Sequence, residues 1–146
     1  MKMILTIALF IGLITGAQAQ EVKDHAKTSK KGIASYYHPK FEGRRTATGE
    51  VFKNEKFTAA SNNLRLNSFV KVTNPSNGRV VYVKINDRMA ASNKRMLDLT
   101  EAAADQLGTR KAGVAKVSME VVSDEEGRQG ILAQREIINT SRKNTL

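Results

Sequence analysis

Alternation of apolar and polar positions is clearest between Phe69 and Ile85. Val81, Val83 and Ile85 fall on one side, with Tyr82 and Lys84 between them. A two-residue period of this kind belongs to a strand with one buried face. The arms Phe69–Asn74 (FVKVTN) and Arg79–Ile85 (RVVYVKI) are rich in β-branched residues and flank Pro75-Ser76-Asn77-Gly78, so they predict a hairpin. Gly32–Tyr37, Met96–Leu99 and Val114–Val122 read as further strands. One helix is signalled over Ala102–Leu107: Thr100 stands as N-cap, Glu101 suits the positive helix end, and Gly108 is the stop. Several short strands with one short helix do not make a flat exposed sheet. They predict a small closed or nearly closed barrel.

The pattern also divides the chain. Met1-Lys2 is followed by an apolar run from Met3 to about Ile14 and by Ala17-Gln18-Ala19. A charged start, a short apolar stretch and an A-x-A site form an export signal, expected over residues 1–19. The run is shorter than the ~20 residues that cross a bilayer. Residues 20–31 are a polar lead-in, residues 32–122 carry the globular pattern, and residues 123–146 turn polar again. That last stretch is expected as a flexible tail, with at most a short helix over Ile131–Ile138. The expectation is an exported protein, periplasmic or extracellular, without stable membrane insertion and monomeric.

Composition narrows the chemistry. The chain has no cysteine, which excludes disulfides, a thiol nucleophile, Cys-based metal sites and a lipidated N-terminal Cys. Two histidines, His25 and His38, offer no metal-ligand spacing; no metal and no cofactor are expected. The net charge is +10. Outside the cytoplasm such a balance suits anionic envelope polymers rather than nucleic acid.

Two polar clusters carry candidate chemistry: Thr46-Ala47-Thr48-Gly49-Glu50 and Ile85-Asn86-Asp87-Arg88. Each sets a carboxylate beside small hydrogen-bonding residues at a strand end, where acid/base groups are often held. A pair of carboxylates in a small exported domain points to sugar chemistry. From spacing alone Asp87 is equally a turn cap paired with Arg88, and Glu50 equally a surface acid in a turn. Asp98, between Leu97 and Leu99, reads as a structural acceptor of backbone hydrogen bonds.

The ordered series Gly32-x-Ala34-Ser35-Tyr36-Tyr37, Phe41-x-Gly43-Arg44-Arg45-Thr46-Ala47-x-Gly49-Glu50-x-Phe52 and Thr58-Ala59-Ala60 resembles the rare lipoprotein A family of septal-ring lytic transglycosylases. Val70-x-Val72-Thr73-Asn74, Asn77-Gly78, Ile85-Asn86-Asp87-Arg88 and Leu97-Asp98-Leu99 continue it. The resemblance implies a mainly β fold, a small six-stranded double-psi β-barrel with one or two short helices. It implies cleavage of peptidoglycan glycan strands, with preference for strands stripped of stem peptides and formation of 1,6-anhydro ends. It assigns catalysis to Asp87 and Glu50. Thr46, Asn86, Arg88 and Tyr37 are placed at the substrate, Tyr37 as a sugar-stacking platform with His38 beside it in the loop.

Three positions depart from the family pattern. Lys53 stands where the family has Asp, Ser61 where it has His, and Thr48 where it has Asn. Lys53 and Ser61 are therefore carried as substrate-contacting candidates, Lys53 for a muramic carboxylate. Three readings follow: a lytic transglycosylase, a non-catalytic expansin-like glycan binder, and an envelope protein with a basic polymer-binding surface.

Overall fold

The structure is a computed structural model that describes residues 28–145. The expected export signal and most of the lead-in, with His25, lie outside the described residues. The strands are β1 (Lys30–Tyr36), β2 (Thr58–Ala60), β3 (Phe69–Thr73), β4 (Val80–Asp87), β5 (Leu97–Leu99) and β6 (Val114–Val122). The helices are α1 (Glu101–Leu107) and α2 (Asp124–Lys143), with a single turn of 3-10 helix at Pro39–Phe41. The strands close into a barrel in the order β1-β5-β2-β4-β3-β6. Pairs β1–β5 and β2–β4 are parallel, and the remaining pairs are antiparallel. The expected six-stranded barrel is therefore the fold.

The hairpin follows its alternation. Val70 pairs with Val83 and Val72 with Val81, and all four are fully buried. They meet Leu97, Leu99, Val117 and Met119 inside the barrel. Closure suits such a chain because it leaves no sheet edge. Strand β2 escaped the alternation reading. It is three residues long and buried at every one of them, so no polar position marks a period.

Helix α1 starts where expected but is capped differently. The Thr100 side chain makes no cap bond; its hydroxyl donates to Lys56 O at 2.6 Å. Asn54 serves instead: its Oδ1 accepts from Glu101 N at 3.1 Å, and its carbonyl accepts from Ala102 N at 3.0 Å. Gly108, at φ 72, closes the helix in the left-handed region.

The expected polar tail is a 20-residue helix, α2, far longer than the predicted Ile131–Ile138 segment. Ser123 caps it by accepting from Glu126 N at 3.2 Å, and acids fill the first turn. It docks on the outside of β3 and β4 through small residues. A Cβ on Gly127 would fall 2.2 Å from Phe69 Cβ, and one on Gly130 2.4 Å from the Tyr82 ring. One turn beyond Gly130, Gln134 clips the barrel, its Oε1 accepting from Tyr82 N at 2.6 Å and its Nε2 donating to Tyr82 O at 3.0 Å. Ile131 and Ile138, both partly buried, pack against the core on the same helix, but the glycines and the amide carry no hydrophobic period, so the pattern announced only the Ile131–Ile138 stretch.

Candidate functional site

A break in pairing sets the site. Along β2 and β4, Ala59 pairs with Ile85 but Ala60 pairs with Asp87, so Asn86 is the extra residue of a β-bulge. Bulges re-aim the residues around them. Here Ile85 and Asn86 are both buried, at 0% and 2% exposure, which a regular strand would not allow. Ala60 also pairs with Asp98 on its other side. The two aspartates thus flank one alanine from neighbouring strands.

Asp87 is held by three donors. Its Oδ1 accepts from Ala47 N at 2.9 Å and from Arg88 N at 2.8 Å, and its Oδ2 accepts from Tyr37 Oη at 2.8 Å. Arg88 does not pair with it. The guanidinium turns away and donates to the carbonyls of Ser61 and, at 2.9 Å, Leu64. The turn-cap pairing of Asp87 with Arg88, open from the sequence, is not what forms. Arg88 holds the neighbouring loop rather than facing the cleft.

Tyr37 is not an exposed stacking platform. Its ring packs against Phe52 and Phe41, with centroids 4.3 and 5.7 Å away, and only 6% of the residue is exposed. Burial pushes its pKa far above the ordinary 10.0, and the hydrogen bond to Asp87 adds to the shift. The phenol therefore stays protonated and donates to Asp87. His38 is exposed beside it and accepts from Lys40 N at 3.2 Å.

The Thr46–Glu50 loop joins both candidate acids. Gly49 N donates to Thr46 O at 2.9 Å and Thr46 N to Glu50 O at 2.8 Å. Gly49 sits at φ 84, which only glycine adopts without strain. The Thr46 and Thr48 hydroxyls are 3.1 Å apart, and Thr48 N donates to Asn86 O at 3.1 Å. The fold thus brings Thr46, Glu50, Asn86 and Asp87 together. Glu50 Oε1 lies 2.7 Å from Lys84 Nζ and accepts from Thr48 Oγ1 at 3.2 Å. The Lys84 hydrogen bond holds the Glu50 carboxyl below its ordinary 4.5, with the Asn86 amide assisting.

Two substituted positions take other roles. Ser61 is 0% exposed, and its Oγ accepts from Asn63 N at 3.2 Å. It shapes a turn and is closed to substrate. Lys53 pairs with Glu42 at 3.5 Å and meets neither candidate acid.

Asp98 is the group that sequence reasoning undervalued. It accepts from a side chain, Ser35 Oγ at 2.7 Å, and not from backbone N–H groups. The same Ser35 Oγ receives Arg95 Nη1 at 2.7 Å. Burial raises the Asp98 pKa and the Asp87 charge adds to the rise, while the Ser35 hydrogen bond and the Arg95 charge oppose it. The register around Ala60, absent from the sequence pattern, was the missing signal. Among the described residues no group of three or more His, Asp or Glu could hold a metal, and no helix is long and apolar enough to cross a membrane.

Residues 29–119 match the family model described as lytic transglycolase. An endolytic peptidoglycan transglycosylase RlpA from Haemophilus influenzae is 48% identical over 93 residues, 64% of this chain and 32% of the relative. The Pasteurella multocida protein of the same name is 43% identical over 112 residues, covering 76% and 38%. The chain spans about a third of the length of these curated relatives. In three dimensions a Streptomyces papain inhibitor aligns with TM-score 0.54 and 23% identity over 66% of this chain and 96% of that one. An expansin from Clavibacter michiganensis, in complex with cellohexaose, aligns with TM-score 0.52 and 22% identity, over 66% and 52%. These likenesses show a shared barrel. With the matched family model, they establish that this chain belongs to the lytic transglycolase family of double-psi β-barrels, that of the RlpA proteins.

Proposed function

We propose that this protein is an endolytic peptidoglycan lytic transglycosylase that cleaves the bond between N-acetylmuramic acid and N-acetylglucosamine. The reading rests on one observation: the Asp87 carboxylate is fixed at a strand end by Ala47 N, Arg88 N and the Tyr37 hydroxyl. In this role Asp87, as the acid, gives its proton to the glycosidic oxygen while the bond to C1 breaks. The muramic C6 hydroxyl then attacks C1, and its proton returns to Asp87. The 1,6-anhydro ring forms, no water is consumed, and the acid is restored. Because the nucleophile belongs to the substrate, one carboxyl suffices. Glu50, charged beside Lys84, assists electrostatically as positive charge develops at C1. Thr46 braces its own loop, and Asn86 O, accepting from Thr48 N, keeps that loop in register with the end of β4. The site lies outside the cytoplasm, on peptidoglycan.

The test is digestion of peptidoglycan, intact and amidase-stripped, by wild type and Asp87→Asn, read by mass spectrometry for 1,6-anhydromuramic ends. Wild type should release them, and the isosteric variant should lose at least a hundredfold, in line with removal of a general acid. A second reading, an expansin-like binder, draws on the neutralised Glu50–Lys84 pair and on the buried Ser61. Retained sacculus binding with no anhydro products from wild type would select it.

A further inference from the structure

Helix α2 begins beyond the segment matched by the family model, yet it builds a wall beside the candidate site. Two adjoining depressions, each about 330 Å³, lie between α2 and the barrel and share Lys56, Phe57 and Arg135. The first reaches Glu50 and Lys84 at one end and includes Arg128; the second continues past Arg135 to Arg142. Arg128, Arg135 and Arg142 recur every seven residues on α2. Such a series drifts by only about 20° per step, so it keeps to one face of the helix. At 1.5 Å per residue, successive members stand about 10.5 Å apart.

All three arginines are exposed, and among the described residues none forms an ion pair. Arg128 lies over the Phe69 ring, 5.3 Å from its centroid, which fixes its position at the groove floor. Lys56 adds a fourth exposed cation. Glu55, at the far depression, and Glu50, tied to Lys84 at the near end, are the opposing acids. A groove with this charge, opening onto Glu50, suits an elongated anion whose charges repeat at the arginine spacing.

We propose that the α2 groove is an extended subsite for the lactyl carboxylates of a peptide-stripped glycan strand. This rests on the transglycosylase reading for the identity of the polymer. A stripped strand carries one free carboxylate per disaccharide, and the disaccharide length is comparable with the arginine repeat. Guanidinium groups bind carboxylates in a planar, two-point manner. Where a stem peptide remains, the lactyl group is an amide and this recognition is lost. The groove thereby supplies a physical basis for selecting stripped strands.

The test uses the full mature chain and three probes: amidase-stripped glycan, the same glycan with its carboxyls methyl-esterified, and chitin oligomers. Binding is read by co-sedimentation or calorimetry, and cleavage by anhydro ends. Wild type should bind the native stripped strand at least tenfold more tightly than the esterified one. Arg135→Gln/Arg142→Gln, which spares Arg128 on Phe69, should erase most of that difference and leave chitin binding and melting temperature unchanged. An ester effect that is equal in wild type and variant overturns the subsite, even if cleavage is normal. Tight discriminating binding without any cleavage keeps the subsite and rejects the enzymatic reading. Equal affinity for anionic lipid vesicles or heparin would also overturn it, revealing an unselective basic face.

Discussion

The Tyr37 hydroxyl donates to Asp87 Oδ2 at 2.8 Å from a ring clamped between Phe41 and Phe52. A buried phenol that stays protonated is a one-directional donor, so it holds the Asp87 carboxyl in one orientation. Tyr37 is thus a positioning residue. Tyr37→Phe keeps the aromatic cluster and removes only the donor. The expected cost in stability is about 1 kcal/mol, that of one hydrogen bond. On stripped glycan, kcat should fall about tenfold, roughly 1.4 kcal/mol of barrier, with KM unchanged. A drop in stability without any change in kcat would leave Tyr37 a purely structural residue.

Glu50 and Lys84 make a pH-dependent tie between the loop and β4. The Glu50 carboxyl is held below its ordinary 4.5 by Lys84, so the folded state binds its proton less readily than the unfolded chain. Its stabilising contribution is therefore present above the ordinary value. It is lost as pH falls through the depressed one. Lys84→Met should bring the Glu50 titration back up toward the ordinary range, seen by NMR of the carboxyl carbon. It should also flatten the acid limb of the stability profile between wild type and variant. The pair is partly exposed, with side-chain exposures of 29% and 35%, so the effect at neutral pH should stay below about 1 kcal/mol.

Asp98 has the opposite sign. Burial raises its pKa above the ordinary 3.8, so the unfolded chain gives up the proton more readily than the folded one. Stability then declines as pH rises from the ordinary value through the raised one, and remains lower at neutral pH. Asp98→Asn preserves an Oδ1 acceptor for Ser35 and removes the charge. Thermal unfolding should therefore show a higher melting temperature for the variant at pH 7 and no difference at pH 3. A lower melting temperature at pH 7 would mean that the charged carboxylate is needed by Arg95 and Ser35.

The barrel was legible because its long strands alternate: Val81, Val83 and Ile85 on β4, and Val70 and Val72 on β3, face inward with polar residues between. The site was legible only as two loops. Nothing in the order of residues shows that Asp87 and Asp98 flank Ala60, because that relation arises from parallel and antiparallel pairing of strands distant in sequence. Tyr37 was misplaced for a related reason. An aromatic at a strand end reads the same whether its ring meets solvent or, as here, Phe52. Helix α2 was legible only over Ile131–Ile138, whose isoleucines pack against the core; elsewhere its contact with the barrel is made by glycines and a glutamine, which carry no hydrophobic period.

That contact yields the last prediction. Replacing a helix-interior glycine with alanine gains up to about 1 kcal/mol of intrinsic helix propensity. At Gly130 the added Cβ would fall 2.4 Å from the Tyr82 ring, and Tyr82 is the residue whose backbone Gln134 clips on both N–H and C=O. The helix must lift, and both Gln134 bonds lengthen with it. Gly130→Ala should therefore destabilise the protein by about 1–3 kcal/mol despite its better propensity, as overpacking does. Gln134→Leu, which keeps the volume but strands the Tyr82 groups, should cost a similar amount. Hydrogen exchange gives the local check: in both variants the Tyr82 amide should lose protection while Val81 and Val83, inside the barrel, keep theirs. If Gly130→Ala raises the melting temperature, α2 is not seated on Tyr82 in solution, and the groove that it forms with the barrel would have no fixed wall.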